Sequence, residues 1–219
     1  MKDSEHTPLE VTPELLLRAY AAGVFPMADS AEADEIFWVE PRRRGILPLD
    51  GFHLSRSLRK RLRRADYEIR VDSAFDAVVE ACAERPETWI NGQISELYGA
   101  LYRLGNAHSV EMWMEGRLVG GLYGVRLGGA FFGESMFSRA RDSSKIALCY
   151  LVARLRAGGF RLLDTQFTTG HLESLGATCV SRLTYRALLD DALPVAADFS
   201  ALPADACVER VIQEISHTS

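Results

Sequence analysis

Apolar residues along the chain recur with two spacings, and the switches between them lay out the elements. Thr12-Pro13-Glu14 opens a helix: Thr12 can cap it, Pro13 suits its first turn, and Leu15, Leu16 and Ala19 supply an apolar face. Gly23 closes that helix, and Phe25-Pro26 imposes extended chain. A polar loop covers Asp29 to Asp34, and Ile36 to Val39 reads as a short strand stopped by Pro41. Ser55 can cap a second helix, in which Leu54, Leu58 and Leu62 form one buried stripe. Residues 67–71 alternate as a strand, whereas 74–84 and 94–104 are helical, the latter ending at Gly105.

From His108 the period drops to two. Val110, Met112 and Met114 alternate, Glu115-Gly116 turns, Leu118 to Val125 runs back, and Gly128-Gly129 turns again into Ala130 to Glu134. This is an antiparallel meander. A helix over 143–156 follows, stopped by Gly158-Gly159. Residues 160–167 read as a mostly apolar strand, which predicts a central, buried position. Residues 183–190 are again helical, and beyond Pro194 the pattern is weak. Hairpins, then a helix, then a buried strand make an α+β order. It is compatible with the acyltransferase fold that binds coenzyme A, an acyltransferase-like (GNAT-like) mixed, largely antiparallel sheet flanked by helices. No Gly-rich turn resembling a pyrophosphate loop follows Glu134, so the order of elements leaves the acyl donor open.

At 219 residues and 47% hydrophobic content the chain suits one compact domain, or one main domain with a small appendage. No apolar run approaches the roughly 20 residues a spanning helix needs. The first ten residues carry Lys2, Asp3, Glu5, His6 and Glu10, unlike a signal peptide, which predicts a cytoplasmic protein with no membrane partner. Cys82, Cys149, Cys179 and Cys207 form no C-x-x-C pair and the histidines are scattered, so no metal site is expected. Net charge is −5, yet residues 42–64 hold eight arginines and Lys60 against Asp50 alone, a net +8. Such segregation is an electrostatic footprint for a polyanion, while the acidic remainder argues against nonspecific DNA coating.

Several uncommon strings occur in order: Ala19-Tyr20-x-x-Gly23-Val24-Phe25-Pro26, Trp38-x-x-Pro41-x-x-Arg44, His53-Leu54-Ser55-Arg56-Ser57 and Thr88-Trp89-Ile90. His108-Ser109-Val110-Glu111, Leu118-Val119-Gly120-Gly121-Leu122-Tyr123-Gly124 and Gly133-Glu134-Ser135-Met136-Phe137-Ser138 come next. Leu163-Asp164-x-Gln166, His171 and Ser174-Leu175-Gly176-Ala177 complete the set. From about Thr12 to Leu189 the chain closely resembles the bacterial leucyl/phenylalanyl-tRNA–protein transferase family. That resemblance implies a small N-terminal domain, here residues 1–65 with the basic helix, and an acyltransferase-like catalytic domain over 66–219. It implies Leu-tRNA or Phe-tRNA as donor, with Met as a further apolar candidate. The acceptor would be a protein beginning with Arg or Lys, and the product would be marked for degradation. The chain departs from the family in starting almost directly at the first helix, and in carrying Met27 where a tryptophan commonly follows Phe-Pro.

The donor is an ester that is already activated, so the resemblance implies no cofactor, ATP, metal or covalent enzyme intermediate. The acceptor α-amine, with a reference pKa of about 7.7–8.0, must be neutral to attack. Asp164 and Gln166, two apart on the buried strand, match the family's catalytic pair: Gln166 would accept a hydrogen bond from the amine and Asp164 would orient it. Glu134, with Ser135 beside it, is implied to lie near the aminoacyl group or to attract a basic acceptor residue. Leu122, Phe131, Leu148, Leu151 and Leu163 match the family's apolar pocket, although by pattern alone they read as ordinary core. Trp38, Trp89 and Met27 are implied contacts of the terminal adenosine, the tryptophans by stacking. Arg44 and the basic helix, with Arg56, Lys60, Arg63 and Arg64, would hold the acceptor arm through its phosphates. Three other readings stay open: a coenzyme A-dependent N-acetyltransferase, a noncatalytic tRNA-binding module, and a related leucyltransferase that modifies acidic N-termini.

Overall fold

The computed structural model describes residues 11–64 and 66–216. Helix α1 (Pro13–Ala21) starts where Thr12 accepts from the Leu15 N–H at 3.2 Å. A small antiparallel pair, β1 (Phe25–Met27) and β2 (Phe37–Val39), follows. The next strand, β3 (Arg43–Ile46), lies in a stretch with no apolar alternation and is not foreseen from the pattern. Then come α2 (Arg56–Leu62), β4 (Glu68–Val71), α3 (Phe75–Ala83) and α4 (Gly92–Arg103). The meander is β5 (Ala107–Met114), β6 (Arg117–Leu127) and β7 (Ala130–Ser138). The chain continues through α5 (Ser143–Ala157), β8 (Leu162–Gln166), α6 (Gly170–Glu173), β9 (Thr178–Ser181), α7 (Arg182–Ala192) and α8 (Val208–Ser216).

Seven strands form one sheet in the order β4-β5-β6-β7-β8-β3-β9. Only β7 and β8 run parallel; every other neighbour is antiparallel. The fold is thus α+β, with the mixed and mostly antiparallel sheet expected. Helix α5 lies on one face and is buried nearly all round, because α2 (Leu58, Leu62) and α8 (Val211, Ile212, Ile215) share its core cluster. The opposite face carries α1, α3, α4 and α7 through Tyr20, Phe75, Val78, Tyr98 and Tyr185. No helix of the described residues is long and apolar enough to cross a membrane.

Two placements differ from the pattern. Residues 43–46 enter the large sheet between β8 and β9, and α2 packs on α5. Residues 43–46 are thus part of the large sheet. The weak tail forms a real helix, α8, whose Val211, Ile212 and Ile215 are buried.

Candidate active site and aminoacyl pocket

The site arises where two parallel strands part. The β7–β8 ladder covers only Ala130↔Leu162, Phe131↔Leu163 and Phe132↔Asp164. Beyond it, β7 stays with β6 and β8 stays with β3, so the sheet opens. A bulge on each side of the opening explains the divergence. Between the pairs Tyr123↔Ser135 and Gly124↔Gly133, Glu134 is the extra residue on β7. Between Ile46↔Asp164 and Gly45↔Gln166, Thr165 is the extra residue on β8. Glycine is required at the second bulge: a Cβ at Gly45 would lie 2.6 Å from the Phe167 carbonyl carbon and 2.8 Å from Thr165 Oγ1. Gln166 closes the strand at φ 53°, in the left-handed region.

The opening holds a cavity of about 330 Å³. Its apolar end is Leu122, Leu148, Leu151 and Leu163; Glu134, Ser135 and Gln166 line it at the bulges, with Met27, Trp89, Arg85 and His171 among the remaining residues. Glu134 is gripped from below: Tyr20 donates to Oε1 and Tyr98 to Oε2, each at 2.7 Å, and the two hydroxyls lie 2.8 Å apart. Burial pushes the Glu134 carboxyl up to about 7, against the lowering effect of those two phenols. Burial likewise holds the Tyr20 and Tyr98 phenols well above their usual range, so both remain donors. With the Gln166 amide turned so that both its atoms are satisfied, its nitrogen donates to Gly133 O at 2.9 Å and Thr165 O at 3.2 Å, and its carbonyl oxygen lies toward Glu134.

Behind the cavity sits a second charged group. Arg44 and Asp164 are 1% and 0% exposed. Arg44 Nε meets Asp164 Oδ1 at 3.0 Å and Nη2 meets Oδ2 at 2.6 Å, while Nη1 donates to Gly23 O at 3.0 Å. Tyr185 donates to Asp164 Oδ2 and the Gln166 N–H to Oδ1, both at 2.8 Å. The Arg44 side chain lies over Phe25 and Tyr185, with its carbon 4.5 and 4.6 Å from the ring centroids. Burial works against the guanidinium charge, but Asp164 more than offsets it and raises its pKa. Asp164 thus reaches the cavity only through Gln166.

A cleft in which a buried carboxylate with a raised pKa stands beside an apolar end marks a candidate active or binding site. Comparison with known proteins identifies the lineage. Residues 46–190 match the family model for leucyl/phenylalanyl-tRNA protein transferase, and residues 10–42 match the model for its N-terminal domain. The chain belongs to this family.

A leucyl/phenylalanyl-tRNA–protein transferase of Rhizorhabdus wittichii is 64% identical over 195 residues, 87% of this chain and 79% of that one. One from a Ruegeria species is 58% identical over 211 residues, 96% of this chain and all of its relative. Among solved structures, that of FemX is similar at a TM-score of 0.49 and 12% identity, over 76% of this chain and 66% of that one. A likeness so slight does not bear on substrate or chemistry.

The residues expected at the site divide into those that meet in the cavity and those that do not. Leu122, Leu148, Leu151, Leu163, Glu134, Ser135, Gln166, Met27 and Trp89 all line one cavity. Phe131 does not. It is fully buried in the core beneath the C-terminal segment, stacked on Phe199 with centroids 5.6 Å apart. Trp38 stands 39% exposed on β2, outside the cavity. Arg44 is sealed in its pair with Asp164 and presents no charge to a phosphate, which corrects the surface role expected of it. Arg56 and Lys60 on α2, and Arg63 and Arg64 in the turn that ends it, are exposed. Arg63 has a distant partner that local sequence did not offer, Glu209 of α8 at 3.7 Å.

The helix is tied close to the cavity. His53 N–H donates to Leu175 O at 2.8 Å just before α2, and the adjoining α6 contributes His171 and Leu172 to the lining. The residues missed by sequence reasoning are Tyr20, Tyr98 and Tyr185. Tyr20 stands in one of the ordered strings, but nothing local shows that its hydroxyl meets a carboxylate 114 positions away.

Proposed function

We propose that this chain moves a leucyl or phenylalanyl group from its tRNA to the N-terminal α-amine of a protein beginning with Arg or Lys, marking the product for degradation. The observation that carries the reading is that Glu134 and Gln166 line the same cavity as the four leucines. The aminoacyl side chain fills that end. An apolar pocket discriminates by only about 1–3 kcal/mol per methylene, so Leu, Phe and Met all fit the scheme. Trp89 and Met27 flank the terminal adenosine, and an aromatic stack there contributes roughly 1–3 kcal/mol. The exposed charges of α2 hold the acceptor arm by its phosphates.

The acceptor amine approaches Glu134 and Gln166. Gln166 Oε1 accepts a hydrogen bond from the neutral amine and aims its lone pair at the ester carbonyl. The nitrogen attacks the carbonyl carbon, and the C=O electron pair moves onto oxygen. Ionised Glu134 takes the proton the amine sheds. Collapse then expels the ribose oxygen, which recovers that proton. With a pKa near 7, Glu134 is matched to both transfers. Asp164 is a positioning residue, because its oxygen fixes the Gln166 backbone N–H. Negative charge on Glu134 at the cavity floor also favours a basic first residue on the acceptor.

The test is one incubation of the protein with labelled Leu-tRNA or Phe-tRNA and peptides differing only in their first residue. Label should pass to peptides starting with Arg or Lys and not to those starting with Asp. Acetyl transfer from acetyl-coenzyme A would support the acetyltransferase instead. Tight tRNA binding without product would leave only a binding module.

A further inference from the structure

Four buried side-chain atoms among the described residues have no hydrogen-bond partner: His108 Nε2, Arg154 Nε, Thr165 Oγ1 and Tyr123 Oη. A buried polar atom left unpaired costs stability, so each calls for an explanation. His108 and Arg154 both flank Phe199 in a separate cleft, and Arg154 ties the C-terminal segment down through the Phe199 and Pro203 carbonyls. Thr165 Oγ1 sits against the Gly45 backbone at the β8 bulge. Tyr123 is different. Its side chain is 0% exposed, yet it lines the cavity that holds Glu134.

Its setting keeps that hydroxyl in place and unpaired. Tyr123 pairs with Ser135 on β7, immediately beside the Glu134 bulge. Its ring is held edge-on to Tyr98 at 5.3 Å and to Phe75 at 5.8 Å. The neighbouring phenols Tyr20 and Tyr98 already satisfy both oxygens of Glu134. Burial and the Glu134 charge keep the Tyr123 proton on its oxygen well beyond the usual phenol range. Tyr123 thus brings to the cavity wall a rigid, neutral donor that is buried and has nothing to donate to.

The reaction creates one oxygen that needs such a donor. With the aminoacyl side chain among Leu122, Leu148, Leu151 and Leu163, and the amine at Glu134 and Gln166, the carbonyl oxygen of the ester has no partner among the residues already given roles. We propose that the Tyr123 hydroxyl donates a hydrogen bond to this carbonyl oxygen and holds the oxyanion of the tetrahedral intermediate, an inference that rests on the acyl-transfer reading above. As the amine nitrogen bonds to the carbonyl carbon, the C=O pair settles on oxygen opposite the Tyr123 O–H. As the bond to the ribose oxygen breaks, the carbonyl reforms and Tyr123 keeps its proton throughout.

The test is Tyr123→Phe, which removes one oxygen and leaves the ring. Single-turnover transfer at saturating Leu-tRNA and Arg-peptide should fall about 100-fold, the usual scale for losing one oxyanion donor. Leu-tRNA binding should be unchanged, and the thermal midpoint should not fall, because an unpaired buried hydroxyl is removed. A 3-fluorotyrosine at position 123, which retains the hydroxyl, should keep the wild-type rate. An active Tyr123→Phe variant, a loss that merely tracks weakened donor binding, or a 3-fluorotyrosine enzyme as slow as Tyr123→Phe would each overturn the assignment. A wild-type chain that binds Leu-tRNA but yields no product would sink the parent reading and this one together. An active wild type with an equally active Tyr123→Phe variant would sink only this one.

Discussion

Replacing Glu134 by Gln should make the protein more stable and less active, and the size of the gain should depend on pH. In the unfolded chain this carboxyl titrates near 4.5; in the fold, burial pushes it up to about 7. The folded state therefore binds the proton more tightly. Its favourable contribution is complete below about pH 4.5 and is lost as pH rises through about 7. At about 1.36 kcal/mol per pH unit, that gap makes the ionised form cost about 3 kcal/mol above neutrality. The substituted glutamine would carry no charge, and its amide can accept from one of Tyr20 and Tyr98 while donating to the other.

Urea and thermal unfolding of both proteins between pH 5 and 8.5 measure the effect. At pH 8 the variant should gain about 3 kcal/mol, or about 6–12 °C for a chain of this size, and near pH 5 the two should converge. Transfer by the wild type should rise through about pH 7 as Glu134 ionises, whereas the variant should be slow and lack that limb. Stability curves that stay parallel across the whole range would refute the reasoning, because they would mean that Glu134 titrates like an exposed carboxylate.

Two further perturbations address the surroundings. Arg44→Met leaves Asp164 buried with only the Tyr185 hydroxyl and the Gln166 N–H, and should cost about 3–5 kcal/mol in urea unfolding. Replacing Asp164 by Leu as well should restore part of that loss. Lys60→Glu with Arg64→Glu should weaken tRNA binding in filter assays and lower the slope of log affinity against log salt by about 0.9 for each duplex phosphate no longer neutralised. Transfer at saturating donor should be unchanged, and an unaltered salt slope would remove α2 from the tRNA interface.

Local patterns are reliable where neighbours within a few positions settle the conformation. Thr12 and Ser55 cap α1 and α2 as their side-chain chemistry predicts. The meander from Ala107 to Ser138 follows its period-two text and its Gly turns. Even the weakly patterned tail carries a local signal, since Val208, Val211, Ile212 and Ile215 have the spacing of one helix face. By contrast, Ala74 offers α3 no side-chain cap. Glu111, buried on β5, accepts the Ser73 and Ala74 N–H groups at 2.9 Å instead. Nothing near Ala74 in the chain announces a carboxylate arriving from another strand.

The same division runs through the site. Composition, periodicity, charge segregation and the ordered strings were enough to determine the α+β class and the lineage, and the resemblance singled out Glu134, Gln166 and four leucines that share one cavity. They could not tell Glu134 from Asp164, two carboxylates on apolar strands. Tertiary structure separated them: Asp164 meets Arg44, 120 positions away, and is withdrawn from the cavity, while Glu134 lines the cavity and accepts from two neutral phenols. It also placed Arg43–Ile46 inside the sheet and put a one-residue bulge on each strand beside the opening. The reason is one of range. Caps and periodicity act over a turn or a pleat, whereas desolvation, ion pairing and strand register depend on which distant segments become neighbours.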